Sequence, residues 1–325
     1  MNHGTTGEDI AMGNPFELIR RHLAERYPGD FHRTAAVREF LGRVCQRHLD
    51  LDLGDGDLAQ KLCSGDESRY WQQLSEILLA HELLEAGLTL TSSRGGPDFL
   101  IEHFGQRTWI EVICPQPEGI PADWLAQPTG RPYNMPHEAI LLRWTAAIKE
   151  KAEKLLGNAA LGKKGYREKG VVGAKDAYVI AVNARLLRGP YFASITGISQ
   201  FPFAAEAVFA IGPYAVSISP ETMKIVGGGH QHRPTIRKPN GADVPAYTFL
   251  DPAFRPVSAI WALDVDESWV IGNTKAMAVV HNPDAETPVP VGLLPSYDEY
   301  VATPDGPDEY RLDRIAGRLR STDPD

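Results

Sequence analysis

Cysteine is scarce in this sequence, and the scarcity removes two architectures at once. Cys45, Cys63 and Cys114 are the only three in 325 residues, too few and too scattered for a disulfide framework or a zinc cage. No apolar run approaches the roughly 18 residues of a membrane span. The opening MNHGTTGEDIAMGNP lacks the basic-then-apolar order of a secretion signal. These absences predict a reduced, cytoplasmic protein with no membrane partner. Positive charge is also short: the net charge of −9 argues against broad attraction to a polyanion. Familiar catalytic motifs are missing too. There is no G-x-S-x-G, and His81-Glu82 and His137-Glu138 each begin a zinc-protease pattern without its second histidine. GNAALGKK, from Gly157 to Lys164, stops one residue short of a phosphate-binding loop. Lys164 stands where the magnesium-holding hydroxyl belongs, and a helix precedes the segment where a strand is needed.

What is present reads as a soluble α/β chain. Hydrophobic residues make up 43%, enough for a substantial core. Asn14-Pro15 has the form of a cap followed by a first-turn proline, and it opens a helix over residues 16–27. A second helix is expected over 35–51. Residues 1–68 form a helical N-terminal extension in this reading. From Tyr70 the pattern sharpens into a helix ending at Gly87, a short strand LTLTSS, and two strands in PDFLIEHFGQRTWIEVICP joined tightly at His103–Gln106. A proline-rich loop follows over 115–136, then a long helix HEAILLRWTAAIKEKAEKLL and the strand AYVIAVNARLL. Residues 69–187 are expected to form the core. Residues 188–325 are a C-terminal α/β region whose strands, AMAVVHNP among them, suit a continuation of the core sheet. The polar tail after Pro304 reads as peripheral, with one short helix-like stretch. Positive charge, short overall, is concentrated between Lys149 and Lys175.

The chemistry-bearing residues emerge from the hairpin. With Phe104 and Gly105 at its tip, residues whose numbers sum to 209 face each other, and Asp98 and Glu111 are such a pair. Their Cβ atoms are expected about 4.5–5.5 Å apart on one face, while Phe99, Ile101, Ile110 and Val112 take the other. Like charges set opposite each other destabilise a sheet. A divalent cation resolves the conflict, since magnesium takes one or two protein carboxylates and keeps several waters. Glu76 falls at the border of a helical stripe formed by Leu74, Ile77, His81 and Leu84, within reach of the sheet. Lys151 lies mid-face on a helix whose buried positions are Trp144, Ala147, Ile148 and Leu155, so its ammonium either snorkels outward or meets something negative. Arg143 and Lys149 lie off that face. His230 and His232 in GGGHQHRP read as polar surface after a glycine turn, and Cys114, Trp109 and Trp144 as packing residues.

In this order the residues resemble the PD-(D/E)XK nuclease superfamily, with Pro97-Asp98 literal, Glu111 in WIEVICP and Glu76 in WQQLSEILLAHELLEAG. The resemblance spans residues 70–187. It implies an α/β fold with a restriction-endonuclease-like mixed central sheet flanked by helices, behind the helical N-terminal extension. It further implies Mg²⁺ or Mn²⁺ held by Asp98, Glu111 and Glu76, and hydrolysis of the phosphodiester bonds of DNA or RNA. The lysine expected two residues after the glutamate is Ile113 here. Lys151 is its candidate replacement from the following helix, and Gln116 a further polar neighbour. The alternative reading is a catalytically degenerate nuclease-fold protein that binds nucleic acid or protein. The sequence leaves both a monomer and a homodimer open.

Overall fold

The hairpin forms where the alternation places it. In the computed structural model, which describes residues 14–127, 132–190, 193–306 and 309–320, strand β2 (Phe99–His103) pairs antiparallel with β3 (Gln106–Ile113) in the 209 register, Phe99 opposite Ile110 and His103 opposite Gln106. Phe104 and Gly105 both take positive φ, 47° and 79°, the backbone of a two-residue turn that matches strand twist. β3 then pairs in parallel with β4 (Ala177–Asn183), and β4 in parallel with β9 (Ala259–Asp264). Among the described residues eight strands make one mixed sheet, continued by β10 (Ala276–His281), β11 (Asp298–Pro304) and β12 (Tyr310–Ala316) beyond β9, and by the two-residue β1 (Leu90–Thr91) beside β2.

The fold is mixed α/β, a large mixed sheet with helices on both faces. Phe99, Ile101, Ile110 and Val112 share one face with Val179, Ala181 and Trp261. That face is covered by α1 (Pro15–Arg26), α2 (His32–Asp50), α3 (Leu58–Leu62) and α4 (Glu67–Glu85), whose Ile19, Leu41, Leu62 and Leu78 belong to the same core. Asn14 caps α1 through its side chain, with Pro15 in the first turn. On the opposite face Leu100, Trp109, Tyr178 and Ile180 pack against α6 (His137–Leu156) and α7 (Phe203–Phe209) through Trp144, Ile148 and Phe203. The short α5 (Ala122–Ala126) lies within the proline-rich segment.

Two expectations change. α4 is buried around most of its circumference rather than along one stripe, because α2 and α3 cover the side turned from the sheet. Leu74 and Ile77 are core, whereas His81 and Leu84 are only partly buried. The helix-like stretch of the tail is instead β12, held to β11 by a seven-residue antiparallel register and by the Arg314–Asp298 and Thr303–Asp313 cross-strand pairs. Outside the sheet, β5 (Ile211–Ile218) and β6 (Ile225–His232) form a solvent-exposed ribbon that carries His230 and His232, and β7 (Thr235–Arg237) pairs with β8 (Asp243–Pro245). No described helix is long and apolar enough to cross a membrane.

Candidate active site

The site grows out of a notch in the sheet edge. β2 begins at Phe99, opposite Ile110, while β3 runs on through Glu111, Val112 and Ile113 with β4 on its other side only. The backbone groups left without a strand partner must be satisfied by something else. The Val112 N–H donates to Asp98 Oδ2 at 2.6 Å. Gln72 of α4 serves as the rest of the missing strand: its amide donates to the Val112 carbonyl at 3.2 Å, and its oxygen accepts from the Cys114 N–H at 2.9 Å. Glu76 lies one helical turn beyond Gln72 and accepts from it at 2.9 Å, with Gln73 donating to both of its oxygens at 3.3 Å. Thus α4 delivers Glu76 to the same notch from which Asp98 and Glu111 project.

The second helical layer supplies the positive charge. Lys151 donates to Glu111 Oε1 at 2.8 Å, and Lys154, three residues on along α6, donates to the same oxygen at 2.7 Å. Lys151 and Glu111 are almost wholly buried, with side-chain exposures of 7% and 1%, whereas Lys154 is 44% exposed. Tyr166 donates its hydroxyl to Glu111 Oε2 at 3.3 Å. Tyr166 is in place because the chain folds back over the end of α6, its N–H donating to the Lys154 carbonyl at 2.8 Å.

When all are ionised, three carboxylates face two ammonium groups, which leaves one negative charge uncompensated. Burial is the largest cause of the titration behaviour, and the neighbouring acids add to it. Burial first, then Glu111 and Glu76, push the Asp98 carboxyl well above the usual range, against Lys151 and the Val112 N–H. Burial lifts Glu76 to about 7, with Gln72 and Lys151 opposing and Glu111 and Asp55 adding. Burial works against the Lys151 ammonium, but Glu111 and Asp98 outweigh it and hold its pKa above the ordinary lysine value.

All four sequence-predicted residues, Glu76, Asp98, Glu111 and Lys151, therefore meet in one electrostatically coupled cluster. Gln116 stands apart, its amide reaching the Cys114 carbonyl at 3.4 Å. Arg143 pairs with Glu118, and Lys149 is exposed. Cys114 is a buried core residue. Sequence reading missed Lys154, Tyr166 and Gln72. The first was legible as the i+3 neighbour of Lys151 and the last as the i−4 neighbour of Glu76; Tyr166 depends on the fold-back and carried no local signal.

The donors suit a hard divalent cation: they are all oxygen, they carry excess negative charge when ionised, and Asp98, just before β2, interacts electrostatically with Glu111 on β3. Among the described residues no group of three or more His, Cys, Asp or Glu side chains is gathered as metal ligands, so the fit is to a pair, Asp98 and Glu111, completed by water. A cation on Glu111 must share it with two ammonium groups already in place.

The carboxylates lie where two arms of a cleft meet. One arm, of about 1100 Å³, is bordered by the β1–β2 loop and the segment after α6. The other, of about 1000 Å³, is bordered by α3, the start of α4 and Pro115–Glu118. Glu76, Asp98 and Lys154 belong to both. Compared with known proteins, the chain matches no family model, no curated protein and no solved structure.

Proposed function

We propose that this cleft hydrolyses phosphodiester bonds of DNA or RNA with Mg²⁺ or Mn²⁺, on a restriction-endonuclease-like core. The observation that carries the reading is the meeting of Asp98, just before β2, with Glu111 on β3, joined from one layer by Glu76 and from the other by Lys151. A divalent cation, when bound, supplies neutralisation of the scissile phosphate and a water of lowered pKa. The chain's own residues do the rest. Asp98, just before β2, and Glu111 on β3 would hold the cation. Glu76, with a pKa near 7, is matched to accept or deliver a proton at neutral pH. Lys151 and Lys154 place positive charge beside Glu111, where it offsets charge developing on the phosphate. This assigns to α6 the lysine missing at Ile113.

A second reading has its own support. Both oxygens of Glu111 already accept from protein donors, which suits a degenerate site that binds nucleic acid without cutting it. A nuclease assay on plasmid DNA, single-stranded DNA and RNA with Mg²⁺ or Mn²⁺ separates the two. Metal-dependent cleavage that Asp98→Ala and Glu111→Ala both abolish supports catalysis. Absence of cleavage by the folded wild type on every substrate supports the binding module.

A further inference from the structure

The two arms of the cleft differ in their free charge. In the arm bordered by α3 and α4, each lining cation that stands apart from the carboxylate cluster has an acidic partner: Lys61 pairs with Asp57 at 2.8 Å and Asp55 at 3.4 Å, Arg69 with Asp66 at 3.7 Å, and Arg143 with Glu118 at 3.1 Å. In the other arm, Arg94, Lys163, Lys164 and Lys169 line the cleft. Among the described residues none of these four has a carboxylate within ion-pair distance, and all four are exposed. Asp52 and Asp55 border the same arm from the segment after α2, and Glu150 and Glu153 from α6, so its positive charge belongs to the wall formed by the β1–β2 loop and the segment after α6.

That wall is built to hold its shape. The near-miss phosphate loop from Gly157 to Lys164 is a tight fold-back in which Asn158 and Lys163 exchange backbone hydrogen bonds at 2.7 and 3.0 Å. Gly165 packs so closely on the end of α6 that a Cβ there would lie 2.2 Å from the Leu155 carbonyl oxygen. The β1–β2 loop abuts this segment, since a Cβ on Gly96 would come within 3.0 Å of Val171. Arg94 and the three lysines thus line the same arm of the cleft. The four cations exceed what a single phosphate requires.

We infer that the cleft grips a nucleic-acid strand on one side of the carboxylates only, with Arg94, Lys163, Lys164 and Lys169 taking consecutive backbone phosphates and the α3–α4 arm taking none. The inference rests on the reading of the cleft as a phosphodiester site and names the part of the substrate that supplies the affinity. It makes the substrate a polymer rather than a small phosphorylated metabolite. It also means that the product on the lysine side leaves last.

Charge counting makes this testable. Each phosphate neutralised on a single strand contributes about −0.7 to the slope of log affinity against log salt. Four contacts give a slope near −3, a roughly 50-fold loss of affinity between about 50 and about 200 mM salt. The experiment is fluorescence anisotropy with labelled single-stranded DNA, RNA of the same sequence and duplex DNA, in EDTA so that no probe is cut. Wild type is compared with Arg94→Ala/Lys163→Ala/Lys164→Ala/Lys169→Ala and with Lys61→Ala/Arg69→Ala/Arg143→Ala, after circular dichroism has shown each variant folded. The expected result is a slope that collapses in the quadruple variant and persists in the triple one, for whichever probe binds tightest. An unchanged slope in the quadruple variant, an equal collapse in the triple, or no binding of any probe by wild type overturns the inference. Cleavage in Mg²⁺ alongside an unchanged slope in the quadruple variant leaves the catalytic reading standing and removes this one. A lysine-dependent slope with no cleavage in Mg²⁺ or Mn²⁺ does the reverse.

Discussion

Replacing Asp98 with asparagine is expected to stabilise the metal-free protein. The side chain is isosteric, and its oxygen still accepts from the Val112 N–H, so the notch in β3 stays satisfied. What disappears is a carboxylate held among Glu111, Glu76 and Lys151, whose ionised form burial and the two acids both disfavour. At an effective dielectric of about 20, a like-charge neighbour about 4 Å away costs about 4 kcal/mol and a more distant one proportionately less. Lys151 offsets roughly one of the two by the same rule. The penalty is capped, because Asp98 escapes it by taking up a proton. A net gain of about 1–3 kcal/mol at about pH 8 follows, or a few degrees in melting temperature. The sign with pH is fixed by the direction of the shift. A carboxyl whose folded pKa is raised contributes full stability below its unfolded pKa and loses it as pH rises through the folded value. The advantage of Asp98→Asn must therefore vanish near pH 4, where wild-type Asp98 is protonated, and grow toward alkaline pH. Urea denaturation in EDTA across that range reads it directly. A loss of 1 kcal/mol or more at about pH 8 would refute the surplus-charge account of the site.

Glu111 should behave in the opposite way. Glu111→Gln leaves the buried Lys151 ammonium without its closest partner, a loss of about 3 kcal/mol by the same denaturation assay. Millimolar Mg²⁺ is expected to raise the melting temperature at about pH 8 and to do little at about pH 5.5, since protons on Asp98 and on Glu76, with its pKa of about 7, compete with the cation. Differential scanning fluorimetry at the two pH values checks this, and equal shifts at both would count against carboxylate ligation. Gly165→Ala sets a methyl group against the Leu155 carbonyl. It should cost about 2–4 kcal/mol and weaken oligonucleotide binding by displacing the lysine-bearing loop.

The hairpin was legible from sequence because two independent constraints agree on it. A Phe-Gly turn fixes the register, and the apolar alternation of Phe99, Ile101, Ile110 and Val112 fixes which face is core. Lys151 was legible because a cation in the middle of an apolar helical face has few places to go. The layer formed by α1–α3 was not, since nothing in an amphipathic helix says which surface it will cover. That ignorance is also why the buried circumference of α4 was read as a stripe. Lys154 escaped for a different reason: at 44% exposure it looks on a helical wheel like an ordinary solvated lysine. Its partner is the Glu111 oxygen that it shares with Lys151. β12 was misread because its alternation is broken by charged residues whose cross-strand partners lie on β11.

The notch explains why acids collect here rather than elsewhere along the sheet. A strand that outruns its neighbour exposes backbone donors and acceptors, and side chains that satisfy them must be polar and short or flexible. Asp98 and Gln72 meet that need, and in doing so they fix the positions from which Asp98 and Glu76 project. Structural satisfaction accounts for Asp98 Oδ2 and for Gln72. It does not account for Glu76, since the backbone of β3 is already satisfied without it, nor for the burial of two acids whose charged forms burial disfavours. The proposed cation would bind the ionised forms of these carboxyls, which burial disfavours without it.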